Sequence, residues 1–425
     1  TTLVETVWLE PTKKGEVVLK STGYTRITID DSRHIPEIVR TNNTWTKKSL
    51  INRIEPLKLE FLMGDNEASK TNLFWTPTIG GNKYDGFMLG AAVHNMGIPF
   101  KPFQFLVAPQ FAFGRTKVAG IAELSYTFLP KKGLKISKFG ASAKTFGMPN
   151  NGNFQVITPY WYAKLGNRGK AKATSHDLLI QGLTRVDKSG GNSVDIQQNG
   201  AFIRYNYNVD LPDHQFKMTL RGDYLQGSQN FELGRVSASA SYKYKYLKNK
   251  MVRWVELKAF VGSNIINNYQ NTFAPENYQL SIFGARGYQD LFVEEYNFGR
   301  FETTGLWSQN RMDNFGNFHA NNAVATIGSS DTWMASSNIY IQLPVKPSVF
   351  GAFADFGAFE DASGTTQTVV NLGLGVKLGN TLGVFFPLYQ SSYFGDLLTD
   401  YGQKIRFTLK LNLVNKGLNL NNLLN

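Results

Sequence analysis

Gln403-Lys404-Ile405-Arg406-Phe407-Thr408-Leu409-Lys410-Leu411-Asn412-Leu413 is the stretch that decides the fold. In an extended chain, Ile405, Phe407, Leu409, Leu411 and Leu413 point one way, and Lys404, Arg406, Thr408, Lys410 and Asn412 point the other. The same alternation runs through Gln215 to Tyr224 and Phe231 to Leu247, and segments of about ten residues repeat it between Thr71 and Val414. The apolar faces are rich in Tyr, Phe and Leu. The polar faces carry Lys, Arg, Ser and Asn, with no second apolar layer to pack on. A soluble sandwich turns its greasy faces inward. This pattern instead predicts a transmembrane antiparallel β-barrel, with lipid outside and water or a plug inside.

The composition agrees with that reading and narrows it. The 425 residues are enough for one large barrel and an appendage. Mean hydropathy is −0.26, and no apolar run reaches the length of a membrane-spanning helix. Gly (40), Phe (31) and Tyr (19) are abundant, as aromatic girdles require. The absence of Cys excludes disulfide and thiolate chemistry. A net charge of +13 raises nucleic acid as a partner, but the basic residues sit in turns and on alternate strand positions rather than in one stripe. No charged n-region and apolar h-region open the sequence. An exported barrel needs such a signal, so the expectation is a processed product or the C-terminal piece of a longer chain.

Three regions are expected. Residues 1–60 read as a β-rich periplasmic stub and linker, with short strands at Glu5 to Glu10, Gly15 to Ser21 and Tyr24 to Asp30, and a linker over 47–62. Residues 61–414 form the barrel and 415–425 a periplasmic tail. Strand centres fall at Phe74, Leu89, Val107, Ile121, Ile136, Val156, Leu179, Ile203, Met218, Ala238, Val255, Ala335, Phe353, Leu372, Val384 and Phe407. That gives about 16 strands, an even number as a closed single-chain barrel prefers. Tight turns at Leu129-Pro130-Lys131, Leu211-Pro212-Asp213, Lys248-Asn249-Lys250, Leu343-Pro344-Val345 and Gly379-Asn380-Thr381 fall on one side of the count. Short turns face the periplasm in such barrels, so both termini are expected there. A long extracellular loop, about 265–331, leaves after the eleventh strand and is expected to fold into the lumen.

Signals for catalysis are poor. None of His34, His94, His176, His214 and His319 begins an H-E-x-x-H pattern, and each reads as a solvated turn or lumen residue. Glu294-Glu295 is an adjacent carboxylate pair that reads as charged surface rather than an acid/base couple. No catalytic residue, metal site or cofactor is assigned to this chain. The sharper signal is Phe283-Gly284-Ala285-Arg286-Gly287-Tyr288 in the loop, set against Gly351-Ala352-Phe353-Ala354-Asp355-Phe356-Gly357 on the thirteenth strand. Alternation puts Phe350, Ala352, Ala354 and Phe356 toward lipid, so Asp355 enters the lumen with Phe353 and Gly357. A carboxylate inside a plugged barrel needs a partner, and a loop Arg folded inward offers one. On spacing alone, Arg286-Gly287 reads first as an ordinary turn and Asp355 as a solvated carboxylate.

This layout resembles the BamA-type superfamily of outer-membrane assembly factors and two-partner secretion transporters. That family has sixteen strands, an Arg-Gly-(Phe/Tyr) loop in the lumen and a Phe-x-Asp-x-Gly strand that holds it. The resemblance implies a loop lock made of Arg286, Gly287, Tyr288, Phe353, Asp355 and Gly357. Ala285 departs from the family's frequent Val, and eleven residues follow the last strand where the family usually stops. A second resemblance rests on Ile35 to Asn43, Pro77 to Gly86 and Gly299-Arg300 to Gln309. These are similar to the C-terminal barrel attached to some gluzincin zinc metallopeptidases of the Gram-negative envelope. It implies a peptidase upstream of Thr1, with its catalytic residues outside this chain.

Three functions compete, in this order: an outer-membrane anchor or scaffold for a periplasmic peptidase or envelope complex, an assembly or secretion barrel, and a diffusion channel. The expected partners are outer-membrane lipids, lipopolysaccharide and envelope proteins. Basic turns at Lys131-Lys132, Arg168 to Lys172, Lys248 to Arg253 and Lys346 would face phospholipid phosphates or plain solvent. Tyr160, Trp161, Tyr162, Tyr244, Tyr246, Trp254 and Trp333 are candidates for interfacial girdles, with Trp161 and Trp254 alternatively in the lumen.

Overall fold

A computed structural model describes residues 5–8, 16–20, 23–31, 34–35, 43–46, 57–65, 70–98, 101–130, 132–149, 151–166, 173–188, 196–228, 230–247, 252–270, 275–294, 299, 302, 304–321, 326–379, 381–395 and 400–409. Near the start, β1 (Arg26–Thr28) and β2 (Thr44–Thr46) pair as a small antiparallel ribbon. Of the strands expected at Glu5 to Glu10 and Gly15 to Ser21, the described residues 5–8 and 16–20 lie in no strand, and the rest of both lies outside the described residues.

The wall begins with β3 (Leu57–Phe61) and continues through β4 (Thr71–Asn82), β5 (Gly86–His94), β6 (Phe103–Ala112), β7 (Lys117–Phe128) and β8 (Leu134–Gly147). It runs on through β9 (Asn153–Leu165), β10 (Thr174–Lys188), β11 (Ile196–Asp210), β12 (His214–Gly227), β13 (Glu232–Leu247) and β14 (Arg253–Asn268). Two short loop strands, β15 (Leu280–Ser281) and β16 (Ser329–Ser330), pair inside the long connection. The wall resumes with β17 (Trp333–Gln342), β18 (Phe350–Glu360), β19 (Thr366–Leu378), β20 (Leu382–Gln390) and β21 (Arg406–Leu409). Its strand order closes on itself as a barrel.

Each of the sixteen sequence-derived centres falls inside one of these strands. The seventeenth, β3, was assigned to the linker. It pairs parallel to β4, with Leu57 opposite Thr71 and Phe61 opposite Trp75, and stands between β4 and β21 in the closed order. Its Leu57, Leu59 and Phe61 are exposed and continue the outer apolar face, while Lys58 and Glu60 pair at 2.8 Å. Five residues are too few to register as a period-two segment, which is why the linker reading missed them.

Outside, the wall is greasy: Ile79, Val118, Phe139, Ile157, Ile203 and Val261 are all exposed, one strand after another. Buried positions alternate with them and face the lumen. Tyr160 belongs to the inner set, its hydroxyl donating to Glu123 at 2.6 Å, and Tyr162 shares its face, so neither joins an outer girdle. Trp161 stacks on the exposed Phe139 and faces out. Trp254 alternates inward and receives the Lys243 ammonium 5.0 Å from its ring. The expected turns at 131 and 248–250, the basic cluster 168–172, the end of the last strand and the tail 415–425 lie outside the described residues.

Candidate functional site: the loop lock in the lumen

The long connection between β14 and β17 folds inside the cylinder because its apolar residues find the inner wall. Leu291, Phe292 and Val293 are buried against Phe154, Leu183 and Phe202. Ile282, Phe283 and Phe318 are buried against Met334, Phe359 and Val369 on another stretch of wall. Polar contacts fix the first limb: Glu294 pairs with Arg204 at 2.8 Å and with Arg221, and the Lys144 ammonium donates to the Val293 carbonyl at 2.6 Å. Glu294 is therefore a structural anion rather than surface charge; Glu295 lies outside the described residues.

The second limb is held by Asp355. Register places Asn338, Asp355 and Asn371 side by side on β17, β18 and β19, all three buried on the lumen face. The Asp355 Oδ1 accepts from Asn338 Nδ2 (3.1 Å) and His319 Nδ1 (2.7 Å). Its Oδ2 accepts from the His319 backbone N–H and from Asn371 Nδ2, both at 2.7 Å. Four donors compensate a carboxylate with no access to water. An ionised carboxylate only accepts, so the proton of the ring bond sits on Nδ1 of His319. Burial lowers the His319 pKa from its ordinary value, with the Asp355 charge working in the opposite direction. The imidazole is packed among Phe353 (centroids 4.9 Å apart) and Phe385 (4.6 Å).

This corrects the expected pairing. The partner of Asp355 is His319, which the sequence reading left as a solvated turn or lumen residue, and not Arg286. Arg286 lies deeper in the loop, where its N–H donates to Gln289 Oε1 (2.8 Å) and its carbonyl accepts from the Gln289 N–H (2.9 Å). Gly287 and Tyr288 continue that turn, which spans Gly287–Gln289. The other half of the expected lock is built as a unit around His319. Phe353 flanks the ring, Asp355 binds it, and Gly357 leaves room for the loop: a Cβ there would lie 2.6 Å from Ile282 Cδ1 and 3.0 Å from Phe318 Cζ.

A second clamp comes from Arg406 at the start of β21, among the largest fully buried side chains. Its guanidinium donates to the carbonyls of Met312 (3.0 Å) and Phe318 and pairs with Asp313 at 3.3 Å. Asn321 reaches the same segment, its N–H and Nδ2 donating to the carbonyls of Lys404 and Gln403, each at 2.9 Å. Alternation had turned Arg406 inward, but nothing in the sequence paired it with the loop. At the rim, Asp85 ties three turns together, accepting from Arg115 Nε (2.6 Å), the Gly147 N–H (2.7 Å) and Asn82 Nδ2 (2.7 Å). Among the described residues no cluster of His, Asp or Glu is arranged to hold a metal ion.

The chain is similar to BamA from Haemophilus ducreyi lacking POTRA domains 1–3, at 10% identity and a TM-score of 0.40, over 79% of this chain and 68% of that one. It is similar to CdiB from Acinetobacter baumannii (10%, TM-score 0.36) and CdiB from Escherichia coli (12%, TM-score 0.35), each over 79% of this chain. The chain spans 58% and 61% of those two proteins. No family model matches, and no curated protein matches either.

Proposed function

We propose that this chain is a plugged outer-membrane barrel of the assembly or secretion type, with both termini in the periplasm. The observation that supports it is the clamp of Arg406: the loop grips the last strand as well as filling the lumen. A loop that merely blocks a pore needs no bond to the strand at the seam. The apolar outer wall takes lipid as its surroundings, with lipopolysaccharide facing the loop end. A diffusion channel fits least, because the buried loop core occupies the interior. The test is reconstitution in proteoliposomes, followed by conductance and by insertion of a small unfolded barrel. Negligible steady conductance with accelerated insertion is the expected result; an open, ohmic pore would overturn it.

A second reading is an anchor for an upstream domain such as a zinc metallopeptidase. The pairing of β3 with β4 favours it, since the chain entering from the N-terminal side becomes part of the wall before the first hairpin. Proteoliposomes that hold an N-terminal fusion partner firmly, yet give no insertion of a test barrel, would favour the anchor.

A further inference from the structure

We infer that Glu302 and residues 304–311 of the long loop are a latch that closes the upper part of the barrel seam, so that the plug and the seam are released together. This rests on the reading of the chain as a membrane barrel. In the closed order β3 stands between β21 and β4. Among the described residues β3 matches Thr71 to Trp75 of β4, whose twelve residues continue to Asn82. On the other side, β21 pairs with Leu382 to Phe385 of β20. Sheet edges left open in hydrocarbon are costly, so something has to cover this stretch.

Several observations put the loop there. Asn310 forms a parallel bridge with Phe407, on the edge of β21 that β20 does not use. The Arg311 N–H donates to the Phe407 carbonyl (3.3 Å), and Asn310 Oδ1 accepts from the Leu409 N–H (3.1 Å). The Asn310 segment thus does the work of a neighbouring strand. Register also pairs Phe407 with Val384 on the outer face, opposite in direction to the inward Arg406. An outward Phe on this wall should be exposed, as Phe350 and Phe356 are, yet Phe407 is 8% exposed. Trp307 covers it edge-on, with centroids 5.9 Å apart, while remaining 44% exposed itself. The loop therefore reaches the outer side of the last strand. At the other end of the segment, Glu302 pairs with Lys83, in the turn after β4, at 3.0 Å. One piece of loop touches both sides of the seam. Since the same loop carries His319 and the carbonyls held by Arg406, withdrawing the plug removes the seam's cover.

The chain has no cysteine, so introduced thiols report cleanly. Phe407→Cys in liposome-embedded protein is titrated with a small maleimide, in the native background and with Trp307→Ala or Trp307→Phe. Labelling is expected to rise by about tenfold with Trp307→Ala, as for a lost local opening barrier, and to stay slow with Trp307→Phe. Separately, Lys83→Cys with Glu302→Cys, both at partly exposed positions, is expected to form a disulfide under mild oxidation and to hold the Phe407→Cys thiol protected even with Asp355→Ala. Equal labelling in all backgrounds, or no disulfide between positions 83 and 302, overturns the latch while leaving the barrel reading intact. Protein that fails to float with liposomes overturns both.

Discussion

Asp355 and His319 meet through two bonds of 2.7 Å each, one from the imidazole and one from the backbone N–H of the same residue. A ring bond alone would fix a side chain; the added backbone bond fixes the path of the loop. Removing the ring by His319→Ala leaves the buried carboxylate with the Asn338 and Asn371 amides and the backbone N–H of position 319, one donor short. The expected cost is about 1.5–3 kcal/mol, as for losing a hydrogen bond to a buried charged group. It should appear as a lower temperature of the gel-mobility shift and faster proteolysis of the loop. Arg286→Ala should disturb the turn around Gln289 and change both readouts less than His319→Ala does.

Acidification should loosen the same contact. Burial lowers the folded-state pKa of His319 from 6.5, so the unfolded chain binds the proton more readily than the folded one. The contribution is complete above pH 6.5 and is lost as pH falls below that value toward the depressed folded pKa. Asp355, Lys377 and Arg406 are the charges acting on the ring. Loop proteolysis followed between pH 7.5 and pH 5 should accelerate in the native protein and lose most of that dependence in His319→Gln.

Arg406→Ala should release β21. It removes donors from the Met312 and Phe318 carbonyls and leaves both without a charged partner in a buried site, at roughly 3 kcal/mol or more. Arg406→Lys keeps the charge but loses the planar fork that reaches two carbonyls at once, so it should recover only part of the loss. Hydrogen exchange of the β20–β21 pair reads the difference directly.

Gly357 tests the close approach of loop and wall. Gly357→Ala brings a Cβ to 2.6 Å from the end of Ile282 and should cost about 1–3 kcal/mol from overpacking. The atom in the way is the tip of a flexible side chain, so Ile282→Ala should restore part of the loss. A double-mutant cycle on thermal stability gives the coupling, and additivity would mean that the two positions do not touch.

The limb carrying Glu294 should respond separately. Glu294→Ala leaves Arg204 and Arg221 without their loop partner and should free residues 291–294 to protease while the His319 contact persists. Simultaneous loss of both limbs would show that the plug moves as one body.

The positions of the sixteen hairpin strands and the facing of residues such as Asp355 and Arg406 were legible in the sequence, because lipid on one side and a filled lumen on the other impose alternation; Tyr160 and Tyr162, expected in a girdle, face inward instead. The common inward face of Phe353, Asp355 and Gly357 follows from counting faces; that they belong to a lock was implied by the family resemblance. The partner of Asp355 was not legible. His319, Ile282 and Phe318 sit in a loop without periodicity, and which of them meets β18 depends on how a long connection packs among strands distant in sequence. The same holds for β3, whose five residues carry too short a pattern to read, and for Trp307, whose contact with Phe407 joins residues far apart in sequence. Period-two chemistry is local and survives in the sequence; closure of the seam and choice of the lock are decided by which surfaces are left uncovered once the sheet has curled.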